Sequence, residues 1–419
     1  MNKVLRKITS IFYFMKRNKI KNVVNLINLD DPVRSKKCMQ QYVNHKNIKK
    51  LGFVDDLFSN YKDLKGSVIK SKEFSDYAIN MLSTLEDNVF NYYHWLLLAK
   101  VFGSLGFLEF SFYLREKSIA ALLSNYKCDE DKFLCARAAL EYGDMKLTKL
   151  LLNQVHIIDG KNTELKIFED FFKIIEGDSE SHISLISSPL GRVVNGKTVN
   201  VIGPANHNLS IDIDDTQSVF ASIGYIGKQS LPSGLDVKIN ISFYARAKVR
   251  QILCSSDKAD QAKIIECLIV KHGPDLKALL KSGFSPSQLV IRYDFKNLFY
   301  LTSPNAGPEL VYNCLLSGAK IIKIFNTDFF LTKSYPSGYI VNKKKKKIYD
   351  NSYEADNVEM CFSFSYFHHP AAQLRFYRNL MKTNLISGDH NFKIIVAMPI
   401  NKYFERLDSL YGFGTWGDQ

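Results

Sequence analysis

Between residues 199 and 400 short apolar, β-rich segments alternate with stretches of helical periodicity, and this alternation constrains the fold more than any other feature of the chain. The strand-like segments are VNVIGP, SVFASIGYI, VKINISFY, QLVIRYDF, KIIKIFNTDFF and FKIIVAMP; the helical ones are ADQAKIIECLIVKHG, GPELVYNCLLSG and AAQLRFYRNLMKTN. Strands separated by helices pair through crossovers, so the expected sheet is mostly parallel and doubly wound. Ligands of such sheets bind beyond the carboxyl ends of the strands.

Ahead of this region the pattern differs. From about residue 73 to 176 it is helical, as in HWLLLAKVFGSLGFLEFSFYLREKSIAALL and DKFLCARAALEYGDMKLTKLLLNQV, with no fixed-period repeat. The polar stretch EGDSESHISLISSPLGRVVNGK marks a boundary near 180–196. At 419 residues and 46% hydrophobic content the chain is long enough for two packed regions. We expect an N-terminal region over 1–185, a short basic βα opening followed by helices, and a Rossmann-like α/β region over 190–419.

The formal charge of +14 is concentrated at one end, since residues 1–50 hold 13 Lys/Arg against only Asp30 and Asp31. The opening MNKVLRKITSIFYFMKRNKIKN reads equally as a solvated basic face or as a peripheral contact with anionic lipid. Lys16 and Arg17 interrupt its apolar run, which argues against a signal peptide, and no stretch of about 18 apolar residues suggests a membrane span. The expected location is the cytoplasm or the inner face of the cytoplasmic membrane. Seven scattered cysteines, without a C-x-x-C pair, argue against a zinc ribbon or a disulfide scaffold.

The strand VNVIGP stops at Gly203-Pro204 and opens into the polar loop ANHNLS. A glycine there lets backbone amides approach a nucleotide, although G-P-A-N is not the G-x-G-x-x-G fingerprint. Four segments in one order add weight. VNVIGPANHNLS resembles the first strand and nucleotide loop of bacterial CMP-sialic acid transferases, and GLDVKINISFYARAKVRQ is similar to their donor-side strand. LTSPNAGPELVYNCLLSGAKIIKIFNTDFF resembles their turn, helix and strand, and FSYFHHPAAQLRFYRNLM their histidine loop entering a helix. The resemblance spans about 199–400. It departs at residues 303–308, which read Ser-Pro-Asn-Ala-Gly-Pro where the family has Thr-Ser-Gly. A closer similarity is to the sialyltransferase-like β-Kdo transferases, which carry extra sequence ahead of the nucleotide loop and retain configuration through an aspartate.

This resemblance implies a GT-B-like, sialyltransferase-like fold and a metal-independent glycosyltransferase with no cofactor beyond its donor. The donor would be a CMP-sugar, Kdo ahead of sialic acid, and the acceptor a glycan, free or lipid-linked, of lipopolysaccharide or capsule synthesis. Asp236 matches the place of the covalent nucleophile. His368 and His369, before Pro370 and a helix start, are candidates to act on the departing phosphate or the acceptor hydroxyl; the sequence does not say which. His272, before Gly273-Pro274, is a further acid/base or orienting candidate. Gly203, Pro204, Ala205 and Asn206 form the expected nucleotide loop, with Asn240, Ser242 and Tyr244 on one strand face, Ser303 and Asn305 in the turn, and Asn326 and Asp328 after KIIKIF.

Plainer readings remain for most of these residues: strand ends, caps and turns. The DIDD motif at 212–215 reads as a polar loop rather than a metal site, and Lys343 to Lys347 as a solvated loop. The lysine run lacks aromatic interleaving, so no nucleic-acid partner is expected. A non-catalytic scaffold and an inverting sialyltransferase stand as alternatives, and the chain could be one module of a longer transferase.

Overall fold

The computed structural model describes residues 90–104, 108–126, 128–155, 162–177, 186–205, 218–232, 235–292, 298–331 and 368–411. The basic opening, Asn206, the DIDD motif and the lysine run lie outside them. None of the described helices is long and apolar enough to cross a membrane.

Five helices come first: α1 (Tyr92–Ser104), α2 (Leu108–Ser124), α3 (Asp129–Tyr142), α4 (Met145–Asn153) and α5 (Asn162–Glu176). A short α6 (Pro189–Val194), capped by the Ser188 hydroxyl accepting from Gly191 N, leads into the sheet. The strands are β1 (Thr198–Ile202), β2 (Val219–Ile223), β3 (Ile241–Tyr244), β4 (Cys267–Val270), β5 (Leu289–Ile291), β6 (Ile321–Phe325) and β7 (Ile386–Gly388). Between and after them lie α7 (Arg246–Leu253), α8 (Ser256–Lys263), α9 (Gly273–Lys281), α10 (Ala306–Leu316), α11 (Pro370–Met381), α12 (His390–Ala397) and α13 (Ile400–Tyr411).

The sheet order is β5-β4-β3-β2-β1-β6-β7, with every pairing parallel. The expected α/β, mostly parallel, Rossmann-like architecture is therefore present. From β1 the chain winds outward to β5, then returns past β1 to place β6 and β7 on the other side. Right-handed crossovers put the helices of the two halves on opposite faces and leave a switch point between β1 and β6.

Alternation along the strands supplies both faces. Val199, Val201, Ala221, Ile241, Phe243 and Ile269 face one core, shared with α10, α11 and helices α1 to α5. Ile202, Phe220, Tyr244, Leu268 and Val270 face the other, covered by α7, α8 and α9. The helical layer and the sheet thus share one continuous apolar core.

Two sequence assignments are corrected. FKIIVAMP, read as a strand, is α12: Asp389 caps it by accepting from Phe392 N at 2.7 Å, and Phe392, Ile395 and Val396 are buried while Ile394 is 48% exposed. That is helical spacing. Conversely, the helix read through ADQAKIIECLIVKHG stops at Lys263, and Cys267–Val270 forms β4, buried at every position. A parallel strand covered on both faces is apolar throughout and carries no alternation to separate it from a preceding helix.

Candidate functional site at the carboxyl edge of the sheet

At the switch point the ends of β1 and β6 are stitched together. Gly203 N donates to Phe325 O at 2.7 Å and Ala205 N to Asn326 O at 3.0 Å. A Cβ on Gly203 would collide with the carbonyl of Asn326 and the hydroxyl of Thr327, so this glycine is demanded by a close approach. Pro204 is half-buried and Ala205 buried beside it.

The chain after β6 is conformationally strained. Asn326, Phe329 and Phe330 all have left-handed backbones, with φ of 51°, 51° and 69°. Asparagine tolerates this region, but aromatic residues there are outliers of the kind that cluster at functional sites. The turn is held by its surroundings. Asn326 N donates to Asp389 Oδ2 at 2.8 Å, Phe330 N donates to Asp328 Oδ1 at 3.1 Å, and Tyr403 Oη donates to Phe329 O at 2.8 Å. Asn326 is 1% exposed, and its Oδ1 has no hydrogen-bond partner among the described residues. A buried amide oxygen left unsatisfied costs stability.

Two helix N-termini open at this edge, because α10 precedes β6 and α11 precedes β7 in parallel connections. Asn305 caps α10, its Oδ1 accepting from Gly307 N at 3.1 Å. His369 caps α11, its Nδ1 accepting from Ala371 N at 3.3 Å, with Pro370 at the first helical position. The two starts are laced together. His369 N donates to Thr302 Oγ1 at 2.9 Å, Gln373 Nε2 donates to Ser303 O at 3.2 Å, and Asn305 N donates to Gln373 Oε1 at 3.1 Å. First-turn amides of both helices carry the positive end of their dipoles toward one locality.

The two histidines have different duties. His368 Nδ1 lies 3.0 Å from Ser303 O. A carbonyl only accepts, so Nδ1 carries the proton and the neutral ring has its lone pair on Nε2. Burial, reinforced by the charge of Lys271, pushes the His368 pKa down to about 4. His369 is 5% exposed and is also held neutral, by burial first and then by the charges of Arg115, Arg375 and Lys100. It is a cap, whereas His368 is half-buried and turned to Ser303 O.

Behind His369 lies a buried ionic network. Arg115 donates to both oxygens of Glu141, at 2.6 and 2.7 Å, and to Tyr300 O at 3.1 Å. Arg375 of α11 donates to Glu116 at 2.9 Å and to Glu141 at 3.2 Å. Ser118 and the Tyr300 hydroxyl are 2.6 Å apart. Burial alone would raise the Glu141 carboxyl, but the two guanidiniums hold it below its ordinary value. The network locks α2 and α3 to α11 and to the loop before the Ser303 turn.

Several expected site residues sit elsewhere. Asp236 lies on the β2–β3 connection with its side chain 78% exposed, ion-paired with Lys228 at 2.6 Å. Among the described residues no contact joins it to the histidines or the switch point. Asn240 is at the amino end of β3, where its Oδ1 accepts from Phe220 N at 3.0 Å and its Nδ2 donates to Glu266 at 2.8 Å. Ser242 is fully buried, accepting from Tyr225 N at 3.0 Å, and Tyr244 is fully buried with its hydroxyl donating to Tyr225 O. The three share a strand face, but Ser242 and Tyr244 are packed with their polar groups on Tyr225 of the β2–β3 connection, and half-buried Asn240 is engaged by Phe220 of β2 and by Glu266. His272 is exposed at the start of α9 and makes no side-chain cap. The structure does gather Gly203, Pro204, Ala205, Asn326 and Asp328 at the switch point, and Ser303, Asn305, His368 and His369 at the helix mouths.

Sequence reasoning missed Gln373, Lys271, Arg292 and the Glu309 carboxylate. Polar residues inside otherwise apolar helical runs, such as Gln373 and Arg375 in AAQLRFYRNLM, were the available signal. Compared with protein-family models, curated proteins and solved structures, the chain gives no match in any of the three.

Proposed function

We propose that the protein is a CMP-sugar-dependent glycosyltransferase, with CMP-β-Kdo as the first donor and CMP-sialic acid as the second. One observation carries this reading. The N-termini of α10 and α11 are tied together by hydrogen bonds, with half-buried His368 at their junction, on the carboxyl side of a parallel sheet whose switch point closes up at Gly203. Such an edge suits a nucleotide phosphate, which accepts amide N–H groups and is favoured by the helix dipoles. The choice of CMP-sugar over other nucleotides rests on the order of the four sequence segments.

In this reading, first-turn amides of α10 and α11 stabilise the charge that grows on CMP as it leaves. Neutral His368, with Nδ1–H fixed on Ser303 O, presents Nε2 as the proton acceptor for an incoming hydroxyl. The approach of a dianionic or monoanionic ligand raises its affinity for that proton. Asn326 Oδ1, which has no donor among the described residues, would accept from a ligand hydroxyl or amino group. A retaining route through Asp236 gains no support from its exposed position, so direct displacement assisted by His368 is favoured on geometry.

The test is CMP release from CMP-Kdo and CMP-sialic acid in parallel, with a glycan acceptor and with intact-protein mass on the same samples. Turnover with either donor, lost in His368→Gln and kept in Asp236→Ala, is the expected result. A sugar adduct mapping to Asp236 would instead establish the covalent route. No turnover and no CMP binding would remove the reading.

A further inference from the structure

We propose that Lys271 is the centre of a second anion subsite at the carboxyl edge, one that holds an oxyanion of the bound ligand beside His368. The inference deepens the reading above and rests on it only for the identity of the ligand, a nucleotide phosphate or a sugar carboxylate.

The argument begins with a surplus of charge. Glu309, in the first turn of α10 and 1% exposed, is engaged by Arg292, which follows β5 and is itself 5% exposed. That pair balances. Lys271, the residue after β4, is a second cation on the same carboxylate, 3.1 Å from Glu309 Oε2, with its side chain only 18% exposed. Oε2 nevertheless makes no well-directed hydrogen bond. Two cations therefore share one carboxylate, and the site carries a net positive charge in a largely desolvated place. Burying an uncompensated ammonium is costly, and such charges mark sites that expect a counter-ion.

The location matches. Lys271 stands at the carboxyl end of a parallel strand, the edge at which these sheets bind ligands. Its Nζ lies 5.6 Å from the ring centre of Phe243, which walls one side. Its charge is felt at His368, and Glu309 fixes it against the start of α10, whose first-turn amides point to the same region. An anion on Lys271 would thus touch a helix N-terminus and sit near His368. Pairing Lys271 with an anion restores neutrality without disturbing Arg292 and Glu309.

The full chain and its Lys271→Met and Lys271→Arg variants would be titrated with inorganic phosphate, acetate, CMP, cytidine and free Kdo, by calorimetry at matched ionic strength. The His368 ring would be followed by NMR. Lys271→Met should fold as well as the wild type, because Arg292 still balances Glu309. It should bind phosphate or acetate about tenfold or more weakly, in keeping with loss of a charge-assisted contact, while Lys271→Arg retains most of the affinity. The anion should raise the His368 pKa in the wild type and leave it unmoved in Lys271→Met. Loss confined to CMP, with cytidine unaffected, assigns the anion as phosphate; loss confined to free Kdo assigns it as carboxylate. Phosphate binding that depends on Lys271, with CMP bound no better than phosphate, would keep the subsite and overturn the nucleotide reading. Equal binding by wild type and Lys271→Met, or binding of neither phosphate nor acetate by the wild type, would overturn the subsite. Should Lys271→Met fail to fold, the His368 response in the wild type and in Lys271→Arg decides.

Discussion

Gly203 and His368 make the sharpest claims at the scale of single residues. A methyl group on Gly203 meets backbone at the end of β6, which has no flexible tip to yield. Gly203→Ala should therefore cost about 1–3 kcal/mol by overpacking, read from denaturant unfolding, and should weaken CMP binding with it. His368 is held neutral, its pKa down at about 4 against the ordinary 6.5. Between those values the unfolded chain takes up a proton that the folded one refuses, so stability falls as pH drops from about 6.5 toward 4. The slope for one such group is up to about 1.4 kcal/mol per pH unit, and buried His369 acts in the same direction. An NMR titration of the His368 ring giving a value near 6.5 would contradict this. If His368 accepts the acceptor's proton, His368→Gln should lower turnover by about 10²–10⁴-fold and leave the fold intact.

At the scale of elements, the site depends on two helix starts being held together. His369→Ala removes the cap of α11 and should cost about 0.5–2 kcal/mol, while His369→Asn, which can still accept from Ala371 N, should recover most of it. If His369 were instead the base, neither variant would retain activity; the expected outcome is turnover close to wild type in His369→Asn. How far such elements could be read in advance varied with their surroundings. β1, β2, β3 and β6 were legible because β-branched runs ended at glycine or polar turns. β4 was hidden because Cys267–Val270 continues an apolar helical run without a break, and β7 because three residues, Ile386–Gly388, carry no period. The histidine pair was legible as a loop before a helix, but their division of labour was not. It is set by Ser303 and Thr302, more than sixty residues away in sequence. Likewise Asn240, Ser242 and Tyr244 share a strand face as the period of two requires, yet Tyr225 of the β2–β3 connection takes up the polar groups of Ser242 and Tyr244, and the backbone N–H of Phe220 on neighbouring β2 takes up Asn240 Oδ1.

For the whole molecule, the helical layer is joined to the carboxyl edge of the sheet by both packing and charge. The apolar core runs without interruption from α1 through the sheet to α13, and Arg115, Glu141 and Arg375 bind the same elements electrostatically. Glu141→Gln would leave two guanidiniums buried with weakened compensation, and should cost about 3–5 kcal/mol. It should also lower the affinity for CMP, since α11 carries His368 and His369 at its head. The unfolding of helical layer and sheet should coincide when followed by separate probes; two transitions would contradict a shared core. The central claim is that a nucleotide occupies the switch point, and amide hydrogen exchange with and without CMP tests it most directly. The account predicts slowed exchange at 203–205, 303–309, 326–328 and 368–373 and little change on the β2–β3 connection around Asp236. No protection at all, or protection confined to that connection or to helices α1 to α5, would contradict it.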